Sequence, residues 1–257
     1  MTPEELFAFD AQGYLRLPGV LSGEQVAELQ RTVDRRGADG SSPATGERTH
    51  ADIVTWGPGF QALIDQPRVL RVLRGTLGER FRLDHDYLIA MRPGAGRGPL
   101  HGGDGGMDDW WYRCRDGVIR TGMLSVLFAL TPTRRGDGGF CCVPGSHKSG
   151  MISLAPPAGA FLSAVLPEEV RSFARIPDYL VQPELDVGDV LLFTEALVHG
   201  TLPWRGVGER RVALLKYTPG HCCAQTPRYR LEDFTELTAR QRSLLSPPAL
   251  YDREPVP

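Results

Sequence analysis

Long apolar runs are missing from this 257-residue chain: no stretch approaches the roughly 18 consecutive apolar residues that cross a bilayer as a helix. A helical membrane span is therefore not expected. An excess of one charge is missing too. Lysine and arginine number 29 against 31 aspartate and glutamate, the formal net charge is −2, and the two signs are interspersed. A nucleic-acid polymer, which needs a basic footprint, is not an expected partner. The five cysteines, Cys114, Cys141, Cys142, Cys222 and Cys223, include two adjacent pairs and no Cys-x-x-Cys unit. That spacing suits neither a disulfide framework nor a zinc ribbon, so buried reduced thiols are expected. The first residues, Met1-Thr2-Pro3-Glu4-Glu5, are acidic and lack the basic-then-apolar order of a secretory leader. A cytoplasmic location is the expectation.

What is present suffices for one sizeable core, since 41% of residues are hydrophobic. One domain is expected. Thr2, Pro3, Glu4 and Glu5 open a first helix that Gly13 stops. A short strand follows at Tyr14 to Leu17. Ser22 with Gln25 makes a capping box for a second helix, whose apolar stripe is Val26, Leu29 and Val33. Residues 37–48 are dense in breakers and read as an exposed loop, and helical spacing returns from Gln61 to Leu77.

From Phe81 onward the pattern changes to strands: Tyr87 to Met91, Met123 to Leu130, Phe140 to Val143, Val190 to Phe193, and Val212 to Tyr217. Helices followed by many strands indicate an α+β chain whose sheets form a sandwich or barrel. The glycine-rich stretch from Pro93 to Gly117, which holds Trp110, Trp111 and Tyr112, has the composition of a segment that closes over a substrate.

Two histidines carry the strongest chemical signal. His101 lies in Gly98-Pro99-Leu100-His101-Gly102-Gly103-Asp104, and His199 follows the apolar run that starts at Gly188-Asp189-Val190. They look like the two-histidine half of a non-haem iron site, in which two imidazoles and a carboxylate hold one face of the metal and leave the other open. The carboxylate usually stands two residues after the first histidine, where this chain has Gly103. His50, His85, His147 and His221 read as hydrogen-bonded structural residues, His85 being the main rival for the first ligand. Eleven residues after His199, Arg210 opens a strand and is placed to fork onto a carboxylate; Arg211, its neighbour, points to the other face.

The chain resembles the phytanoyl-CoA dioxygenase family of iron(II)/2-oxoglutarate enzymes. The resemblance rests on Phe9-Asp10-Ala11-Gln12-Gly13-Tyr14 near the start, on Gly136-Asp137-Gly138-Gly139-Phe140 and Val143-Pro144-Gly145-Ser146-His147-Lys148 in the middle, and on His199 and Arg210. It implies a double-stranded β-helix, a cupin-like jelly-roll barrel with N-terminal helices packed outside: a helical part over about 1–80, the barrel over about 81–220 and a C-terminal extension over 221–257. It implies iron(II), 2-oxoglutarate and O2 as cofactors, His101 and His199 as metal ligands, Arg210 on the distal carboxylate of 2-oxoglutarate, and Thr201 as a further contact to it.

Three readings of Gly103 stay open. Chloride fills the vacated position, as in halogenating relatives of the family that carry a small residue there, and the reaction is chlorination of an unactivated C–H bond. Alternatively the flexible glycines let Asp104 reach the iron, and the enzyme is a hydroxylase. Or the protein is a non-catalytic binding module, which the retained Arg210 argues against, because a buried charge needs a partner. Chlorination is the leading expectation. Trp110, Trp111 and Arg115 are the candidate substrate contacts, favouring a small, anionic, nucleotide-like metabolite.

Overall fold

The computed structural model describes residues 1–37, 47–95, 98–102, 111–149, 166–225 and 229–257. The chain opens with α1 (Pro3–Gln12), whose capping box joins Thr2 and Glu5 and which Gly13 ends in the left-handed region at φ 83°. After β1 (Tyr14–Leu17), the predicted Ser22 and Gln25 box starts α2 (Gly23–Gly37), with reciprocal hydrogen bonds of 2.8 and 3.2 Å. Val26, Leu29 and Val33 of α2 are buried, each contributing about 2 kcal/mol of apolar transfer free energy.

The helical spacing expected from Gln61 to Leu77 becomes a helix only from Pro67: the one-turn α3 (Pro58–Gln61) ends where that spacing starts, and α4 (Pro67–Leu77) begins afresh. Pro67 lacks the N–H that a continuous helix would need and stands at the first turn of α4, where the Gln66 side chain accepts from the amides of Arg68 and Val69 at 2.7 and 3.2 Å. Part of the expected loop is also an edge strand, β2 (Glu47–Ala51), paired antiparallel to β3 (Phe81–Met91).

The remaining strands are β4 (Gly98–His101), β5 (Tyr112–Arg115), β6 (Val118–Thr121), β7 (Leu124–Ala129), β8 (Gly139–Cys142), β9 (Val190–Thr194), β10 (His199–Leu202) and β11 (Arg210–Pro219). Six form one sheet in the order β1-β9-β7-β11-β3-β2, three a second in the order β4-β10-β8, and β5-β6 is a separate hairpin. Strand β7 explains the layering. All six of its residues are buried: Val126 and Phe128 face the helices, joining Val26, Leu29 and α4, whereas Leu127 and Ala129 face the second sheet, joining Phe140 and Cys142 of β8. Helices on one face and a second sheet on the other give the expected α+β jelly roll with helices outside.

The C-terminal residues close one end. A helix at Ala239–Leu245 is capped by Thr238, and Arg253 donates to the carbonyls of Phe81 and Ser243 at 2.8 and 2.7 Å. All five cysteines are free, but the expectation that they are buried holds only for Cys141 and Cys142 on β8. Cys114 sits on the β5-β6 hairpin and Cys223 in the turn after β11, where both are exposed, and Cys222 is half-buried.

Candidate metal centre

Strands β4 and β10 run antiparallel, and His101 and His199 are register partners with ring centroids 4.2 Å apart. Each ring is oriented by the carbonyl two residues before it: His101 Nδ1 lies 2.8 Å from Pro99 O, and His199 Nδ1 lies 2.7 Å from Leu197 O. A carbonyl accepts only, so Nδ1 carries a hydrogen in both rings, which leaves Nε2 as the atom that would ligate a metal. Burial, with His101 beside it, pulls His199 down to about 3, which keeps it in the neutral form a ligand requires.

The chain leaving His101 presses on the turn that follows β9. Gly102 has φ 113°, and a Cβ there would stand 2.1 Å from Leu197 O and 3.1 Å from Glu195 O. Only glycine fits so close an approach.

That turn carries a residue the sequence reading passed over. Glu195 follows β9, is fully buried, and donates its amide to Met123 O at 3.1 Å. Its Oε1 accepts from Ser125 Oγ and from Lys216 Nζ, the latter at 2.9 Å. Its Oε2 is buried with no hydrogen-bond partner among the described residues and lies 3.8 Å from His199 Nε2. His101, Glu195 and His199 each place one ligand atom within 4.8 Å of the other two, so a single metal ion is within reach of all three. Burial opposes ionisation of Glu195, yet Lys216, His199 and the Ser125 hydroxyl hold it down to about 2. A carboxylate two residues after the apolar run Val190 to Phe193, and four residues before a candidate ligand, was the signal available in the sequence.

Arg210, Val212, Leu214 and Lys216 share one face of β11 and line a cavity of about 70 Å³ together with His101, His199 and Thr201. Arg210 is 2% exposed, and burial lowers it only to about 10, so it stays charged. It forms no ion pair among the described residues: Nη1 contacts Met91 Sδ at 3.2 Å, and Nε is buried without a partner. Arg211 points the opposite way, pairing with Asp34 and Glu209 at 2.7 and 2.8 Å.

The other candidates stand elsewhere. Gly103, Asp104 and Trp110 lie outside the described residues. Trp111 is half-buried beneath the Arg113 guanidinium, 5.3 Å from its ring, and Arg115 is exposed beside Asp116 on the β5-β6 hairpin. Neither lines the cavity. His85 is buried against Asp84 at 2.7 Å, His50 packs edge-on to Trp56, His147 is buried in the turn after β8, and His221 is exposed; none joins the metal cluster. A larger cavity of about 740 Å³, lined by Gly138, Phe173, Leu180 and Leu202 among others, contains none of the candidate ligands. Thr201 and Leu202 are adjacent on β10, so the two cavities lie on opposite faces of the smaller sheet.

Two imidazoles and one carboxylate form a donor set suited to iron(II), and a desolvated arginine without an ion pair among the described residues suits a dicarboxylate ligand. The ectoine dioxygenase of Sphingopyxis alaskensis is 26% identical over 218 residues, spanning 76% of this chain and 68% of that protein. The ectoine dioxygenase of Nocardia farcinica is 25% identical over 216 residues, spanning 77% and 71%. Among solved structures, HygX of Streptomyces hygroscopicus with nickel and 2-oxoglutarate bound superposes with a TM-score of 0.73 at 27% identity, covering 85% of this chain and 87% of that one. The non-heme epimerase SnoN of nogalamycin biosynthesis shares the fold, with a TM-score of 0.63 at 18% identity over 85% and 83% of the two chains. Residues 9–212 match phytanoyl-CoA dioxygenase (PhyH), and the chain belongs to that family of iron(II)/2-oxoglutarate-dependent oxygenases.

Proposed function

We propose that the chain hydroxylates an unactivated C–H bond of a small metabolite, with iron(II), 2-oxoglutarate and O2 as cofactors. The observation that carries this reading is Arg210, a buried cation without an ionic partner among the described residues, sharing a cavity with His101 and His199. A charge of that kind is costly unless an anion meets it, and a 2-oxoglutarate carboxylate is the anion this family uses. Bound iron would supply O2 activation coupled to oxidative decarboxylation of the co-substrate. Atoms balance: the C–H compound, 2-oxoglutarate and O2 give the alcohol, succinate and CO2.

The residues divide the work. His101 and His199 hold the metal through Nε2, their rings fixed by Pro99 and Leu197. Arg210 anchors the distal carboxylate of 2-oxoglutarate, and Thr201 adds a hydroxyl at the cavity wall. Leu127, Phe140, Phe193, Val212 and Leu214 exclude water around His199 and Arg210. Arg115, on which the expectation of an anionic substrate leaned, is outside the cavity, so the substrate is proposed as a small metabolite without assigned charge.

Chlorination, the leading expectation from Gly103, needs a coordination position left open for chloride. A buried carboxylate beside both histidines weighs against it and favours hydroxylation. The test needs no substrate: anaerobic titration of the protein with iron(II) and 2-oxoglutarate, followed by sodium chloride. A charge-transfer band indifferent to chloride supports hydroxylation; a saturable shift, absent with another sodium salt, returns the weight to chlorination; no band at all removes the iron and 2-oxoglutarate reading.

A further inference from the structure

We infer that Glu195 is the third metal ligand, supplied from the turn between β9 and β10 in place of the carboxylate missing at position 103. The inference rests on the iron- and 2-oxoglutarate-dependent reading above.

The two oxygens of Glu195 are treated differently by the fold. Oε1 is taken by Ser125 and Lys216, which come from the neighbouring strands β7 and β11. Oε2 is fully buried, has no partner among the described residues, and faces His199 Nε2 at 3.8 Å. A buried anion whose second oxygen is left without a donor costs free energy unless a cation meets it, and among the described residues the ligand-bearing groups at that oxygen are the imidazoles of His101 and His199. One metal ion satisfies all three at once. An ion pair between Glu195 and Lys216 serving stability alone would leave Oε2 unexplained.

The transposition is geometrically simple. Gly102 lies against Leu197 O and Glu195 O, so the segment leaving His101 and the segment entering His199 meet at the metal cluster. With Glu195 as the carboxylate, the ligand set requires none from position 103 or 104. Lys216 and Ser125 act as positioning residues that hold the carboxylate with Oε2 toward the histidines.

The experiment is a cobalt(II) titration of the purified full chain, read by the visible absorption of the bound ion and by metal-induced shifts in melting temperature. Wild type should bind, Glu195→Gln should bind at least about tenfold more weakly with a changed cobalt spectrum, and Asp104→Asn should match wild type. Glutamine keeps the shape and one hydrogen-bonding oxygen, and circular dichroism checks its fold. In the Glu195→Gln background, Gly103→Asp should recover affinity by restoring a carboxylate from the other segment. Equal affinity of wild type and Glu195→Gln would overturn the inference, as would a tenfold loss in Asp104→Asn, which decides the matter even where the glutamate variant does not fold. Absence of cobalt binding by wild type itself would instead remove the underlying metal reading.

Discussion

His101 and His199 face one another across the β4-β10 ladder, and each is oriented by the carbonyl of its own i−2 residue. A backbone carbonyl on the same chain segment therefore helps to set the orientation of each ring. Replacing either histidine by alanine should abolish metal-induced stabilisation while leaving the metal-free melting temperature within a few degrees. Thermal denaturation with and without nickel(II) checks this, and retention of the metal shift in either variant would contradict it.

Arg210 and Arg211 separate two effects that the sequence places side by side. Arg210→Met should weaken 2-oxoglutarate binding by about 10- to 100-fold, the loss of one charge-assisted interaction of about 1.5–3 kcal/mol, and should leave metal binding intact. Removal of an unpaired buried charge should also leave the ligand-free protein as stable as before or more so. Arg211→Met removes half-buried pairs with Asp34 and Glu209 and should leave 2-oxoglutarate affinity unchanged. Calorimetric titration of 2-oxoglutarate into the metal-loaded variants distinguishes them.

Gly139 stands behind Arg210. Its φ is 82°, and a Cβ there would lie 2.7 Å from Arg210 Nε, so Gly139→Ala must displace the guanidinium as well as strain the backbone. The expected result is a loss of roughly 1–3 kcal/mol of stability together with a selective rise in the 2-oxoglutarate dissociation constant. A rise of similar size in the metal dissociation constant would show that the damage is not confined to Arg210.

Lys216→Met leaves the Glu195 carboxylate buried without the cation it pairs with, keeping the hydrogen bond from Ser125. Breaking a buried pair in this way costs about 3–5 kcal/mol, and a metal ion bound by the carboxylate should return part of it. Urea midpoints with and without nickel(II) should therefore show a larger metal-dependent gain in Lys216→Met than in wild type.

The acid limb of stability should depend on His147. This ring is buried against Tyr112, its Nε2 donates to Asp10 O at 3.0 Å, Lys148 and the Asp10 carboxylate lie nearby, and burial lowers it from 6.5 to about 4. Its pKa is depressed on folding, so its contribution is complete above about pH 6.5 and is lost as pH falls toward 4, a total of about 3 kcal/mol. His147→Gln keeps a donor for Asp10 and removes the titration. The variant's urea midpoint should fall less steeply than that of wild type between pH 7 and 4.5, and parallel slopes would refute the assignment.

Much of this architecture was legible locally. Thr2 with Glu5 and Ser22 with Gln25 marked two helix starts, and continuous apolar, β-branched runs marked β7, β9 and β11, because capping and strand propensity are decided within a few residues. Side-chain alternation set Arg210 and Arg211 on opposite faces. Pro67 delayed an expected helix start through a known local rule that apolar spacing had masked. Short strands such as β4, β10 and β2 carried too few residues for a pattern; β10 exists because His199 to Leu202 pair with β8, and β2 because Glu47 to Ala51 pair with β3.

The sequence by itself singled out two histidines and an arginine as candidates for a metal and a dicarboxylate, since the motifs around His101 and His199 and the strand that Arg210 opens are local properties. Only the tertiary structure decided which carboxylate stands with them. Ser125, Glu195 and Lys216 lie far apart in the chain and meet because β9, β7 and β11 are consecutive in one sheet. Strand order is fixed by long-range pairing and burial of both sheet faces, which no local pattern specifies.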